Sequence, residues 1–117
     1  MIAIETRFWL AARDAAYAIR HAVFVEEQSI PAELEIDDYD PIAEHALAFL
    51  DSQCVGTARI YLDEQDPSKA KIGRMAVLKD FRGQGIGTAL LGEAIRVGMM
   101  RGASVFGVLI GSVKWMG

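Results

Sequence analysis

The stretch "DFRGQGIGTALL", Asp80 to Leu91, sets three glycines in five residues, Gly83, Gly85 and Gly87, directly after Arg82. It lies where a strand-like run gives way to a helical pattern. Bare backbone at a strand-to-helix turn frees N–H groups to converge on one point, and the helix dipole makes that point positive. Phosphate is the natural guest of such a turn. A tight turn with close helix packing would use the same glycines. Two familiar phosphate loops fail to match. The dinucleotide fingerprint needs a glycine three residues after the second glycine of a G-x-G pair, and the two possible places hold Thr88 and Leu90. The Gly-Lys-Ser/Thr of the P-loop does not occur.

Three other side chains could move a proton. His45 opens the apolar run "EHALAFL", and Glu26 and Glu27 close the first helical stretch. Any of them could help deprotonate an amine. A strand-end histidine and a solvated helix end are the plainer readings of the same residues.

Charge is unevenly spread. Glu26 to Asp40 holds seven acids and no base, whereas Lys69 to Arg101 holds seven bases and two acids. Two solvated faces would account for this. So would a chain that holds an anion with its second half and meets a cation with its first.

These residues must be positioned by a small fold. The periodicity predicts a first strand over "IAIETRFW" and a helix over "RDAAYAIRHAVFVEEQ". On that helix Ala12, Ala15, Ala16, Ile19 and Val23 share one face, and Arg13, Tyr17, Arg20 and His21 another. Pro31 breaks the pattern and opens an acidic loop to Pro41. "EHALAFL" and "CVGTARIYL" read as strands joined by a hairpin at "DSQ". "AKIGRMAVL" is a fourth strand whose Gly73 points to a bulge or a close backbone approach. A helix from about Gly85 to Met100 and a fifth strand, "ASVFGVLI", follow. The helix between the last two strands allows a parallel crossover. The order predicts an α/β or α+β fold with a mixed, mainly antiparallel central sheet flanked by helices.

With 117 residues the chain reads as one domain, 1–117. A net charge of −4 argues against nonspecific nucleic-acid binding. No apolar run reaches membrane-spanning length, and "MIAIETRFWL" lacks the basic start of a signal peptide. A single cysteine, Cys54, fits a reducing cytoplasm. No metal site is expected.

The spacing R-x-x-G-x-G at Arg82, Gly85 and Gly87 resembles the acyl-coenzyme-A loop of the GCN5-related N-acetyltransferases, the GNAT family. Its approach, "IGRMAVLKDFRGQGIG", and the preceding "VGTARI" are similar to that family's fourth and third strands. "RHAVFVEEQSIPAELEIDDYDPIAEHALAF" looks like a subgroup of small bacterial acetyltransferases. The resemblance covers about residues 3–110. It implies an acetyl-CoA-dependent N-acetyltransferase acting on a small-molecule or peptide amine by direct attack. The backbone of Arg82, Gly83, Gln84, Gly85, Ile86, Gly87 and Thr88 would cradle the pyrophosphate. Met75, Ala76 and Val77 would bind the pantetheine arm, with a backbone N–H near Met75 or Ala76 holding the developing oxyanion.

The chain departs from the family after its fifth strand. The family's usual continuation is a helix carrying a tyrosine in an "FYEKLGF"-like stretch, then two more strands. Here "GSVKWMG" follows, and Tyr17, Tyr39 and Tyr61 all lie upstream of the glycine turn. The expectation is therefore a C-terminally truncated sheet without the general-acid tyrosine. Its fifth strand would be an apolar edge suited to homodimer formation. A noncatalytic acyl-CoA-binding or assembly module is the alternative to an enzyme.

Overall fold

The computed structural model describes residues 1–108. Residues 109–117, which include the end of "ASVFGVLI" and all of "GSVKWMG", lie outside the described part. The first strand, β1 (Ile2–Phe8), runs into helix α1 (Trp9–Arg20), which continues as a π-helical stretch from His21 to Glu27. Single 3₁₀ turns at Ala32–Leu34 and Asp40–Ile42 carry the acidic loop into β2 (Glu44–Leu50). Strands β3 (Gln53–Leu62) and β4 (Lys69–Val77), helix α2 (Ile86–Met100) and β5 (Val105–Val108) complete the order.

The sheet is five-stranded in the order β1-β2-β3-β4-β5. Its first four strands pair antiparallel, and β4 and β5 pair in parallel from Lys69↔Val105 to Ile72↔Val108. This is the mixed, mainly antiparallel sheet that the sequence predicts. The β2–β3 hairpin closes through Asp51 and Ser52, both at positive φ, 50° and 70°. Two left-handed central residues match the twist of the strands they join.

Helices cover both faces. α2 packs on one face, where Ile60, Ile72, Met75, Val77, Ile86 and Leu90 form the main core. Near its end α2 comes very close to the sheet: a Cβ on Gly98 would lie 2.5 Å from the Phe106 ring. On the other face Ala12 and Ala16 of α1 pack with Trp9 on Leu47, and Ile19 and Val23 on Ala76.

Three local readings change. The helix starts at Trp9, not near Arg13, because Trp9 turns inward onto Leu47 rather than extending the strand. Arg20, assigned by periodicity to the polar face, is fully buried. The bulge falls one residue beyond Gly73. Between the pairs Arg59↔Gly73 and Thr57↔Ala76, Arg74 and Met75 stand opposite Ala58 alone. Arg74 takes the left-handed φ of 48°.

Candidate functional site

The glycine turn joins the C-terminal end of β4 to the N-terminus of α2. Gly83 and Gly85 adopt φ of 81° and 82°, and Gly85 is the N-cap residue of α2. An added Cβ would meet nothing within 4 Å at either glycine. The backbone conformation, with the open space in front of it, is what calls for glycine here. No side chain caps α2 and its first turn carries no acid. The first backbone hydrogen bond into the helix runs from Ala89 N–H to Gly85 O, 3.0 Å. The amides of Ile86, Gly87 and Thr88 thus have no helical acceptor, and the helix dipole adds to their positive field. These residues, with Gln84 between the two left-handed glycines, fit a pyrophosphate.

Arg82 plays a different part. Its Nε donates to Val77 O at 2.9 Å, and its two terminal nitrogens each donate to Glu27 at 2.7 Å. The guanidinium ties the turn to the protein, and the backbone is left to meet a ligand.

Beyond the turn, β4 offers a free edge. Leu78 N–H bonds Val55 O on β3. By the two-residue alternation of a strand, Met75 and Val77 aim their backbone groups away from β3, as the Arg82 contact to Val77 O also requires. The last described β4–β5 pair is Ile72↔Val108. Among the described residues, therefore, no strand covers the outer edge of Met75, Ala76 and Val77, and their side chains are buried. The bulge helps. Its extra residue puts both Ile72 and Met75 in the α2-side core, which an unbroken strand could not do.

The proton-transfer candidates are not brought together. His45 is wholly buried, with its ring 4.8 Å from that of Trp9. Its Nε2 lies 3.0 Å from Asp40 O. A carbonyl only accepts, so Nε2 carries a proton. Nδ1 has no partner among the described residues. Burial lowers the His45 pKa, against the raising pull of the Asp40 carbonyl and carboxylate. An imidazole closed off in this way meets no incoming amine, so its surroundings do not support the base role expected for it. Glu27 is engaged by Arg82. Glu26 is mostly exposed, 3.2 Å from His21 Nδ1. Both glutamates line a cavity of about 440 Å³ with Val23, Leu78, Lys79 and Phe81, on the flank of the glycine turn.

The acidic loop is also not the free anionic surface that its composition suggests. Three of its five acids, Glu35, Asp37 and Asp40, are bound internally. Arg20 Nε donates to Glu35 Oε2 at 2.7 Å, and its terminal nitrogens donate to Asp40 at 2.8 and 3.0 Å. Arg59 donates to Asp37 at 2.6 and 2.9 Å and to Asp40 at 3.0 Å. Arg74 donates to Asp37 Oδ2 at 3.1 Å and to Glu35 O at 3.2 Å. Burial opposes the ionisation of Asp40, but the hydrogen bonds and charge of Arg20 outweigh it and hold the carboxyl at about 2. Burial dominates at Glu35 and raises its pKa despite Arg20 and Arg74. Sequence reading missed this network, because its arginines come from α1, β3 and β4 and no short-range spacing links them to the loop.

Sheet, bulge and amide-lined turn together form the N-acetyltransferase fold. The chain matches the acetyltransferase (GNAT) family over residues 9–112 and belongs to it. A Bacillus subtilis protein assigned as an acetyltransferase is 35% identical over 94 residues, 78% of this chain and 62% of that one. The chain thus spans about three fifths of that curated relative. A Lactobacillus plantarum crystal structure assigned as an N-acetyltransferase superposes with a TM-score of 0.81 at 32% identity, over 92% of this chain and 73% of that one. Escherichia coli ElaA superposes with a TM-score of 0.74 at 27% identity, over 86% and 71%. Among the described residues no helix is long and apolar enough to cross a membrane, and no group of side chains is arranged to hold a metal ion.

Proposed function

We propose that the protein transfers an acetyl group from acetyl-CoA to a primary amine of a small molecule or peptide. The observation that carries this reading is the pairing of two backbone surfaces: the amides of Ile86, Gly87 and Thr88 at the α2 N-terminus, which have no helical acceptor, and the edge of Met75–Val77, which no strand covers among the described residues. A pyrophosphate suits the first and an amide-bearing arm suits the second. When bound, acetyl-CoA supplies an activated thioester. The Met75–Val77 edge would orient the arm by strand-like hydrogen bonds, and an outward amide of that edge would hold the thioester oxygen as charge grows on it. The turn at Gly83–Thr88 would anchor the far end. Glu26, mostly exposed beside His21, is the remaining side-chain candidate for taking up the amine proton, directly or through water. We place this activity in a reducing cytoplasm, where the single Cys54 stays a free thiol.

The test is thiol release from acetyl-CoA with a panel of primary amines. Amine-dependent, saturable release supports the reading. Saturable coenzyme A binding without release identifies a noncatalytic acyl-CoA-binding module instead. A nucleoside triphosphate that competes better than coenzyme A points to a nucleotide-phosphate binder.

A further inference from the structure

We propose that Arg74 is a positioning residue for this chemistry: it locks the loop 31–43 and the Met75–Val77 edge into one arrangement. The inference rests on the acetyl-transfer reading above.

The backbone of Arg74 is the first observation. Its φ of 48° lies in the left-handed region, costly for a residue with a side chain and rare inside a strand. Gly73, which tolerates that region, stands next to it in the sequence. Strain of this kind persists only where the surroundings enforce it. At Arg74 they do. Its guanidinium reaches Glu35 O at 3.2 Å, Glu35 Oε1 at 3.3 Å and Asp37 Oδ2 at 3.1 Å.

The acceptors are themselves held by other arginines. Arg20 holds Glu35 by its carboxylate and its carbonyl, both at 2.7 Å, and Arg59 holds Asp37. Arg74 therefore joins a set of oxygens that are already hydrogen-bonded. Arg20 and Arg59 are almost wholly buried, with side-chain exposures of 1% and 5%, whereas that of Arg74 is 30%. The first two satisfy the buried carboxylates and hold the fold. The third sits at the bulge, immediately before the backbone proposed to face the thioester. Its geometric task is to fix the direction in which the Met75 amide points and to hold the loop against that edge. A displacement of about 1 Å at reacting groups costs about a hundredfold in rate.

The experiment compares Arg74→Gly, Arg74→Lys and a control, Lys71→Ala, which removes another ion pair of β4, that to Asp63. Thiol release and coenzyme A titration are measured on all three and on the wild type. Arg74→Gly keeps the left-handed backbone but loses the clamp. Its kcat is expected to fall about ten- to a hundredfold, with little change in KM for acetyl-CoA or in coenzyme A affinity. Arg74→Lys should recover part of the loss, since an ammonium keeps the charge but not the planar fork. Lys71→Ala should match the wild type. Wild-type turnover in Arg74→Gly overturns the positioning role. So does a variant whose activity, coenzyme A affinity and thermal stability fall together, the mark of a merely structural residue. A wild-type protein that binds coenzyme A but releases no thiol with any amine overturns the acetyl-transfer reading itself, and the positioning role with it.

Discussion

Glu27 holds Arg82 by two parallel hydrogen bonds of 2.7 Å, across 55 residues of sequence. Because Arg82 also donates to Val77 O, one guanidinium links the end of the first helical segment, the end of β4 and the glycine turn. Glu26, its sequence neighbour, lies beside His21 Nδ1 instead, at 3.2 Å. The two glutamates should therefore behave differently. Glu27→Gln is expected to cost about 1 kcal/mol of stability and to weaken coenzyme A binding up to about fivefold, the scale of a partly exposed ion pair. Glu26→Gln should leave coenzyme A binding unchanged and act on the amine side alone. Urea unfolding and calorimetry on both variants check this, and identical behaviour would contradict it.

Arg20 is the most consequential single charge. Its removal leaves the carboxylates of Glu35 and Asp40, which are 1% and 0% exposed, with only Arg74 and Arg59 as their remaining cationic partners. Arg20→Ala should destabilise the fold by about 3–5 kcal/mol. Arg20→Lys should restore little, because the three donors of one ammonium nitrogen cannot make the four hydrogen bonds that the guanidinium spreads over three nitrogens. Denaturant midpoints of the two variants test this, and a loss below about 1 kcal/mol in Arg20→Ala, the scale of a surface pair, would refute it.

His45 should make the protein sensitive to mild acid. Burial lowers its pKa below 6.5, so the unfolded chain takes up a proton that the folded chain refuses. The stability owed to this group is full above 6.5 and is lost as the pH falls from there toward the folded value. Glu35 works in the opposite sense. Its raised carboxyl is protonated first in the folded state, so acidification toward 4.5 favours the fold. Asp40, held at about 2, adds a loss below 3.8. A difference measurement isolates His45. The stability of the wild type relative to His45→Gln should shrink as the pH is lowered from about 7.5 to about 5.5. A difference that stays constant would show that His45 does not titrate against folding.

We propose that copies of the chain associate through β5. Among the described residues no strand lies on its outer side, and Val105 and Val108 are 54% and 37% exposed. An apolar edge with unpaired backbone groups favours pairing. Light scattering at micromolar concentration should give a mass above the 12.8 kDa of one chain, and Val108→Lys should lower that mass or make the chain insoluble. A clean monomer mass for the unaltered chain would end the idea.

Much of the scaffold was legible in the sequence. β2 falls on "EHALAFL" as expected, and the glycine turn sits where the strand pattern yields to the helical one. Those features follow from local periodicity and turn chemistry. What local rules could not show are contacts made at long range. Arg20 reads as a surface residue on its helix, and only the fold brings Glu35 and Asp40 to it. The bulge was sensed at Gly73, yet it falls on Arg74 because partners on the acidic loop hold that side chain. His45 is where it was expected on β2, but a single sequence does not say that Trp9 closes over it. The glycine turn was thus readable from backbone-shaping residues, while the arginine–carboxylate network depends on tertiary pairing.

The most direct measurement is a calorimetric titration of coenzyme A into the wild type and Gly85→Val. Residue 85 needs φ of 82°, and a Cβ added there points into open space. Strain alone should cost about 1–2 kcal/mol of stability, which urea unfolding reads separately. A ligand seated on the amides of Ile86–Thr88 would meet the new side chain directly. The account predicts saturable one-to-one binding to the wild type, and a loss of affinity in Gly85→Val well beyond the tenfold equivalent to about 1.4 kcal/mol of strain. No binding to the wild type, or equal affinity in both proteins, would contradict it.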